Sequence, residues 1–294
     1  MARTKRFKIN GDVGYYHVIS RTVGGEFLLG DVEKEKLMSV IMQFSSLYFV
    51  SVIGYCIMDN HFHLLVKTLS VEDVNNEELK ERLSRHNKNI SNEITESEIL
   101  RYKEKLTDIS EYVKSIKMTF SRWYNKRNNR RGYLWGDRFK SVLVESGESL
   151  LNMLAYIDLN PVRAKICSKP EEYRWCSFSD RLAKKNDDFL SFEGTEIDKI
   201  EDYVSFVYGV GKLERKSYNG AEKGKISEDS RPEINLWRHR IRYFSDTLVI
   251  GSKGFIEYAY KTFEDKITKK ERKAHKIPIN LPQDLYSIRR LNSI

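Results

Sequence analysis

The chain has 294 residues, which suits one domain of ordinary size with an extension, or two domains. Its 51 Lys and Arg against 42 Asp and Glu leave a net charge of +9, favouring polyanionic partners over acidic or neutral ones, and 40% hydrophobic residues are enough for a real core. The three cysteines (Cys56, Cys167 and Cys176) lack zinc-ribbon or redox-pair spacing, and no apolar run approaches the roughly 18 residues needed to cross a bilayer, so a soluble, cytoplasmic protein with no membrane partner is expected.

The first predicted element is a strand over about 14–22, containing Tyr15-Tyr16-His17-Val18-Ile19-Ser20-Arg21. A helix over about 32–48 follows, with Leu37, Val40, Ile41 and Phe44 at helical spacing. Two strands come next, about 49–58 and 61–67, joined by an Asp59-Asn60 turn. On the second, alternation puts His61 and His63 on one face and Phe62 and Leu64 on the other. Two imidazoles on one rigid strand supply half of a small metal site; a pair of ordinary polar-face histidines is the competing reading. His17 could reach the same place from a neighbouring strand, but it reads first as a packed histidine.

Residues 71–111 are polar and rich in Glu, Asn and Lys, a helical insertion or flap. A long helix over about 109–128 leads into an Asn/Arg-rich loop. From Lys114 to Lys140 the basic residues are Lys114, Lys117, Arg122, Lys126, Arg127, Arg130, Arg131, Arg138 and Lys140, with Asp137 the only acid. Phe120, Trp123, Tyr124, Tyr133, Trp135 and Phe139 are interleaved with them. Basic groups can track a phosphate backbone while exposed aromatic faces stack on unpaired bases, although Phe120, Trp123 and Tyr124 fall at core-like helical spacing.

A strand over about 141–145 precedes a short amphipathic helix with apolar residues at 150, 151, 154, 157 and 159. Pro161 disfavours helical geometry at Asn160, so the helix should stop there. Tyr156 and Asn160, four apart, share a helical face. A phenol one turn before an amide oxygen suits a nucleophile beside a metal ligand; a core tyrosine with a helix-ending Asn-Pro is the alternative. Tyr124 is the rival nucleophile.

Beyond this, 184–233 reads as a charged linker with Gly209, Gly211, Gly220, Gly224 and Pro232. A second unit begins near Leu236: two helical segments around a short Gly-containing break, the later one N-capped by Ser252 with Phe255, Ala259 and Phe263 along one face. It reads as a helical hairpin docked on the first domain, or as a helix-turn-helix. Lys269-Lys270-Glu271-Arg272-Lys273 is a basic tail segment. The order strand-helix-strand-strand-helix-strand-helix suits an α+β, ferredoxin-like (RRM-like) antiparallel sheet with helices on one face.

Together, His61-Phe62-His63 and Tyr156-Ile157-Asp158-Leu159-Asn160-Pro161-Val162-Arg163 resemble the motifs of the single-tyrosine HUH transposases, the insertion-sequence and REP-associated group. Further similarity lies in Tyr15–Arg21, in Gly132-Tyr133-Leu134-Trp135-Gly136-Asp137-Arg138-Phe139-Lys140 and in Tyr173-Arg174-Trp175-Cys176-Ser177, so it spans about 8–180 in the expected order. The resemblance implies a catalytic domain over 8–180, then the charged linker over 181–234 and a mostly helical extension over 235–294 that could be an accessory DNA-binding unit. It implies Mg²⁺ or Mn²⁺ held by His61, His63 and Asn160, and Tyr156 as nucleophile on single-stranded or hairpin DNA. Attack would form a 5′-phosphotyrosine link, free a 3′-hydroxyl and allow strand transfer. Arg122, Lys126, Arg127, Arg130, Arg131, Arg138, Lys140 and Arg163 are the candidate DNA contacts. A homodimer is one arrangement that the resemblance allows. Two other readings remain open: a non-catalytic, domesticated nucleic-acid-binding protein that retains the fold, and a metal-dependent phosphoesterase in which water attacks.

Overall fold

The computed structural model describes residues 6–9, 12–86, 94–185, 188–209, 241–267, 273–277 and 284–288. The first five residues, the latter half of the charged linker with the start of the second unit (210–240), and Lys269 to Arg272 of the basic tail lie outside the described residues.

The first half builds the expected sequence of elements. Strand β1 (Gly14–Arg21) is followed by helix α1 (Asp31–Ser45), strands β2 (Val50–Ile57) and β3 (His61–Thr68), helices α2 (Asn76–His86) and α3 (Glu96–Leu106), the long helix α4 (Ile109–Arg127) and strand β4 (Lys140–Val144). The polar stretch after β3 becomes helical because it carries its own start signal: the Thr95 side chain accepts from the backbone of Glu98, whose carboxylate returns a bond to Thr95. β1 pairs antiparallel with both β3 and β4, and β3 with β2, giving the order β2-β3-β1-β4 of a ferredoxin-like sheet.

The two faces of this sheet follow from strand alternation. Tyr16, Val18, Phe62, Leu64 and Val66 point toward α1 and α4, where Leu37, Ile41, Ile116 and Phe120 complete one core. Leu65, Val142 and Val144 point the other way, into a second core.

The sheet is therefore α+β, as the sequence order implies, but its helices are not confined to one face. Helix α5 (Glu148–Asp158) and the short helix α6 (Asn160–Arg163) lie against the second face, with α7 (Ser177–Leu182) and α8 (Ile200–Tyr208) behind them. Every residue of α5 is buried. Its apolar residues outnumber the four polar ones, Glu148, Ser149, Asn152 and Asp158, and the helix is covered by the sheet and by later segments. It comes close to β2 at Gly54, where a Cβ would fall on the Leu154 side chain. Its C-terminal end is held by the Asp158 carboxylate, which accepts from Ser177 Oγ (2.5 Å), Tyr203 Oη (2.7 Å) and the Phe178 amide (3.2 Å).

The C-terminal region continues the same sheet. Helix α9 (Ile241–Asp246) is followed by strand β5 (Val249–Gly251), helix α10 (Lys253–Thr262) and strands β6 (His275–Lys276) and β7 (Tyr286–Ser287). β5 pairs parallel with β4 through Leu143↔Val249 and Val144↔Ile250, and β7 and β6 complete a seven-stranded sheet. The break between α9 and α10 thus carries a strand, not a helix-turn-helix turn: the apolar run Leu248-Val249-Ile250 finds an open edge on β4. Ser252 caps α10 as expected, accepting from the Phe255 amide. Among the described residues, no helix is long and apolar enough to cross a membrane.

Candidate metal and nucleophile centre

His61 and His63 project from the start of β3 toward the α5 side, their ring centroids 4.9 Å apart. His61 is oriented by its neighbour. The Asn60 amide nitrogen donates to the Gly25 carbonyl (2.9 Å), so its oxygen is the atom facing His61 Nδ1 at 2.6 Å. His61 Nδ1 therefore carries the proton, and its Nε2 keeps a lone pair. His63 is 3% exposed, with Nδ1 2.8 Å from His17 Nε2 and a buried Nε2 that has no hydrogen-bond partner in the protein.

All three imidazoles favour the neutral form. Burial pushes His17 and His61 down to about 4, and lowers His63 well below the usual histidine value. Neutral imidazoles with bare nitrogens are the form that binds a divalent cation. Two nitrogen donors from one strand, one of them an orphaned buried atom, fit half of such a site. Among the described residues, no group of three or more His, Cys, Asp or Glu side chains could hold a metal ion. Among the described residues, a third protein ligand would come from another residue type.

Asn160, the third ligand that the resemblance implies, lies just past α5 at the start of α6. Its amide nitrogen donates to the carbonyls of Tyr156 (3.2 Å) and Ile157 (3.0 Å), closing the last helical turn and leaving Oδ1 as the atom that a cation could use. Pro161 ends α5 as expected and starts the short turn α6.

Tyr156 lies beside the histidines, its ring centroid 6.3 Å from that of His63 and 5.9 Å from that of His17. The Arg163 guanidinium lies over its ring at 4.1 Å and donates to its carbonyl at 2.7 Å. Tyr156 is only 1% exposed, and the Phe244 ring of α9 stacks on it at 4.8 Å. Burial raises the phenol pKa, while the Arg163 cation and the Ser245 hydroxyl pull it back. Tyr124, the rival nucleophile, belongs to the other core, packed on Phe120 across the sheet from the histidines.

Of the basic candidates, Arg163 alone joins Tyr156. Arg122, Lys126 and Arg127 are exposed on α4, Arg131 and Arg138 on the following loop, where Arg130 is half-buried, and Lys140 is exposed at the start of β4. Lys140 is held by Asp246 (2.6 Å), and Arg127 lies 3.7 Å from Glu33. The loop reaches the sheet at the histidine end, through Val23 N–H to the Leu134 carbonyl (2.8 Å) and Gly136 N–H to the Arg21 carbonyl (3.1 Å). A cleft of about 820 Å³, lined by Arg6, Lys117, Arg122, Tyr133, Trp135 and Phe139, opens on the α4 side. Of the interleaved aromatics, Tyr133 is 87% exposed, whereas Phe120, Tyr124, Trp135 and Phe139 are core.

Sequence reasoning passed over Asn60, Arg21, Phe244 and the true contact of His17. Arg21 is exposed and registers opposite His61, a position that the Tyr15–Arg21 segment could have suggested. Phe244 carries no local signal.

No family model and no curated protein matches the chain. Among solved structures, it is similar to a REP-associated tyrosine transposase bound to a REP hairpin, at 13% identity and a TM-score of 0.44, over 68% of this chain and 93% of that one. It is also similar to a candidate transposase from Deinococcus radiodurans R1, at 14% identity and a TM-score of 0.28, over 56% and 92% of the two chains. Similarity at that level assigns no activity.

Proposed function

We propose that the chain is a DNA transposase that cleaves and rejoins single-stranded or hairpin DNA with Tyr156 as nucleophile. The observation that carries this reading is the placement of the Tyr156 ring 6.3 Å from His63, whose bare Nε2 is buried without a partner beside His61. The ordered sequence motifs support it independently.

In the reaction, Tyr156 Oη forms a bond to phosphorus, the bond from phosphorus to the 3′ oxygen breaks, the phenolic proton is lost and the departing oxygen gains one. The product is a 5′-phosphotyrosine link that keeps the energy of the broken bond, so a different 3′-hydroxyl can reverse the step and complete strand transfer. His61 and His63, with Asn160 as third ligand, would hold Mg²⁺ or Mn²⁺. Such an ion supplies charge that offsets what develops on the non-bridging oxygens. Arg163 stabilises phenolate over the ring face, and the exposed basic residues of α4 and its loop track the backbone.

The burial of Tyr156 beneath Phe244 favours a second reading, a non-catalytic DNA-binding protein that retains the fold. Incubating labelled hairpin-containing single-stranded DNA with the protein and Mn²⁺ separates these. A covalent adduct absent from Tyr156→Phe establishes the transposase chemistry. Binding without cleavage establishes the second reading, and cleavage that survives Tyr156→Phe means that water attacks.

A further inference from the structure

His17 hydrogen-bonds through both ring nitrogens, and the two partners differ in kind. Nδ1 lies 2.8 Å from the Phe244 carbonyl, and Nε2 lies 2.8 Å from His63 Nδ1. A carbonyl oxygen only accepts, so His17 Nδ1 carries the proton. A neutral imidazole has a single N–H, so His17 Nε2 accepts and His63 Nδ1 donates to it. The remaining atom, His63 Nε2, is then a bare lone pair, and it is the buried nitrogen left without a partner.

The opposite arrangement fails twice. It would set the His17 lone pair against the carbonyl lone pairs and leave an N–H at His63 Nε2 with nothing to accept it in the interior. Orphaned buried N–H groups are rare in proteins because that loss is not recovered elsewhere.

We propose that His17 is a positioning residue: it relays the polarity of the Phe244 carbonyl through its ring to His63, presenting the His63 Nε2 lone pair to a divalent cation. The inference rests on the metal-centre reading above and deepens it. His17 is excluded as a ligand because both its nitrogens are engaged, although it lies as close to His63 as a third ligand would. His61 receives the same treatment from the other side, where the Gly25 carbonyl orients Asn60 and Asn60 sets the His61 tautomer. Two backbone carbonyls, one near the start of the chain and one in the C-terminal region, thus prepare the two lone pairs. The C-terminal region is therefore part of the metal centre, through a contact spanning 227 residues.

The test uses the full-length protein with two variants. His17→Gln keeps one donor and one acceptor; His17→Leu keeps neither. In ¹⁵N-histidine spectra of the metal-free wild type, His63 should show a protonated Nδ1 and a bare Nε2, and the six histidines make assignment tractable. Mn²⁺ binding measured by calorimetry should weaken about 10–100-fold in His17→Leu, the range for loss of an orienting partner, and return to within a few-fold of wild type in His17→Gln. A protonated Nε2 on His63 in the wild type overturns the relay, whether or not His17→Leu folds. Wild-type Mn²⁺ affinity in a folded His17→Leu overturns its positioning role. A bare Nε2 on His63 in a wild type that binds no Mn²⁺ upholds the relay and overturns the metal-centre reading instead.

Discussion

The rings of Tyr156 and Phe244 lie face on face, 4.8 Å between centroids and 14° from parallel. The same Phe244 offers its carbonyl to His17, so one residue of α9 both covers the proposed nucleophile and orients the histidines beside it. For Tyr156 to act as the proposed nucleophile, α9 would have to shift. Phe244→Ala removes the cover and leaves the backbone carbonyl in the chain. Its expected effects are faster formation of the covalent adduct on labelled hairpin DNA and a stability loss of about 3–5 kcal/mol, typical of a large-to-small change in a core. Adduct kinetics beside a denaturant titration check both; an adduct rate no higher than wild type means that the ring is not what limits access.

His61 and His63 project from β3, an interior strand of the sheet, on the face opposite α4 and its exposed Arg122, Lys126 and Arg127. His61→Ala and His63→Ala should each abolish cleavage while leaving most DNA affinity intact, since affinity comes from phosphate contacts elsewhere. Gel-shift and nicking assays on the same preparations decide it. Wild-type nicking by His63→Ala would remove the metal assignment.

The His pair, the Tyr156 helix and the β-strand order were legible because each is written locally: alternation along β3, four-residue spacing at Tyr156 and Asn160, and an Asn-Pro stop. Helix α5 reads as amphipathic in sequence, yet it is buried on every side, because its polar residues are consumed internally. Asp158 is satisfied by Ser177, Tyr203 and Phe178, and Asn152 donates to the Glu148 carbonyl. Which helices cover the second sheet face is decided by segments far along the chain, and no local pattern records that. His17 reads as a packed histidine and is one; that its packing partners are His63 and a carbonyl of Phe244 depends on the three-residue strand β5 finding the edge of β4. Such short, non-local pairings leave little trace in hydrophobic periodicity.

The depressed histidines make stability depend on pH with a definite sign. His17, facing His63, the Arg163 cation and the Phe244 carbonyl, is held at about 4, as is His61 between Arg21 and Asp59, with burial the largest cause for each. In the unfolded chain both titrate near 6.5. Between about 4 and 6.5 the unfolded state binds more protons, so stability is fully present above that window and is lost as pH falls through it. From pH 7.5 to 5.5 the metal-free protein should lose about 1.4 kcal/mol for buried His17, and somewhat less for partly exposed His61. Urea titrations at both pH values check this, and His17→Gln should lose less than wild type over the same interval. An equal loss in the two proteins would mean that His17 is not buried in its neutral form.

The basic residues divide by how free their charge is, and salt dependence can separate them. Each phosphate neutralised on a single strand contributes about 0.7 to the slope of log K against log salt. Arg122, Arg131 and Arg138 are exposed on α4 and its loop, so alanine at any one of them should lower the slope by about that amount and weaken binding across sequences. Lys140→Ala should change it less, because Asp246 already holds that ammonium at 2.6 Å and DNA would have to displace the carboxylate first. Arg163→Ala should leave the slope nearly unchanged, since its guanidinium lies over the Tyr156 ring and bonds the Tyr156 carbonyl; its effect should fall on adduct formation instead. Fluorescence anisotropy with an unpaired oligonucleotide at several salt concentrations reads all six proteins, wild type included. A drop of about 0.7 in Arg163→Ala, with none in Arg131→Ala, would reverse the assignment and move the DNA path from the α4 loop into the tyrosine site.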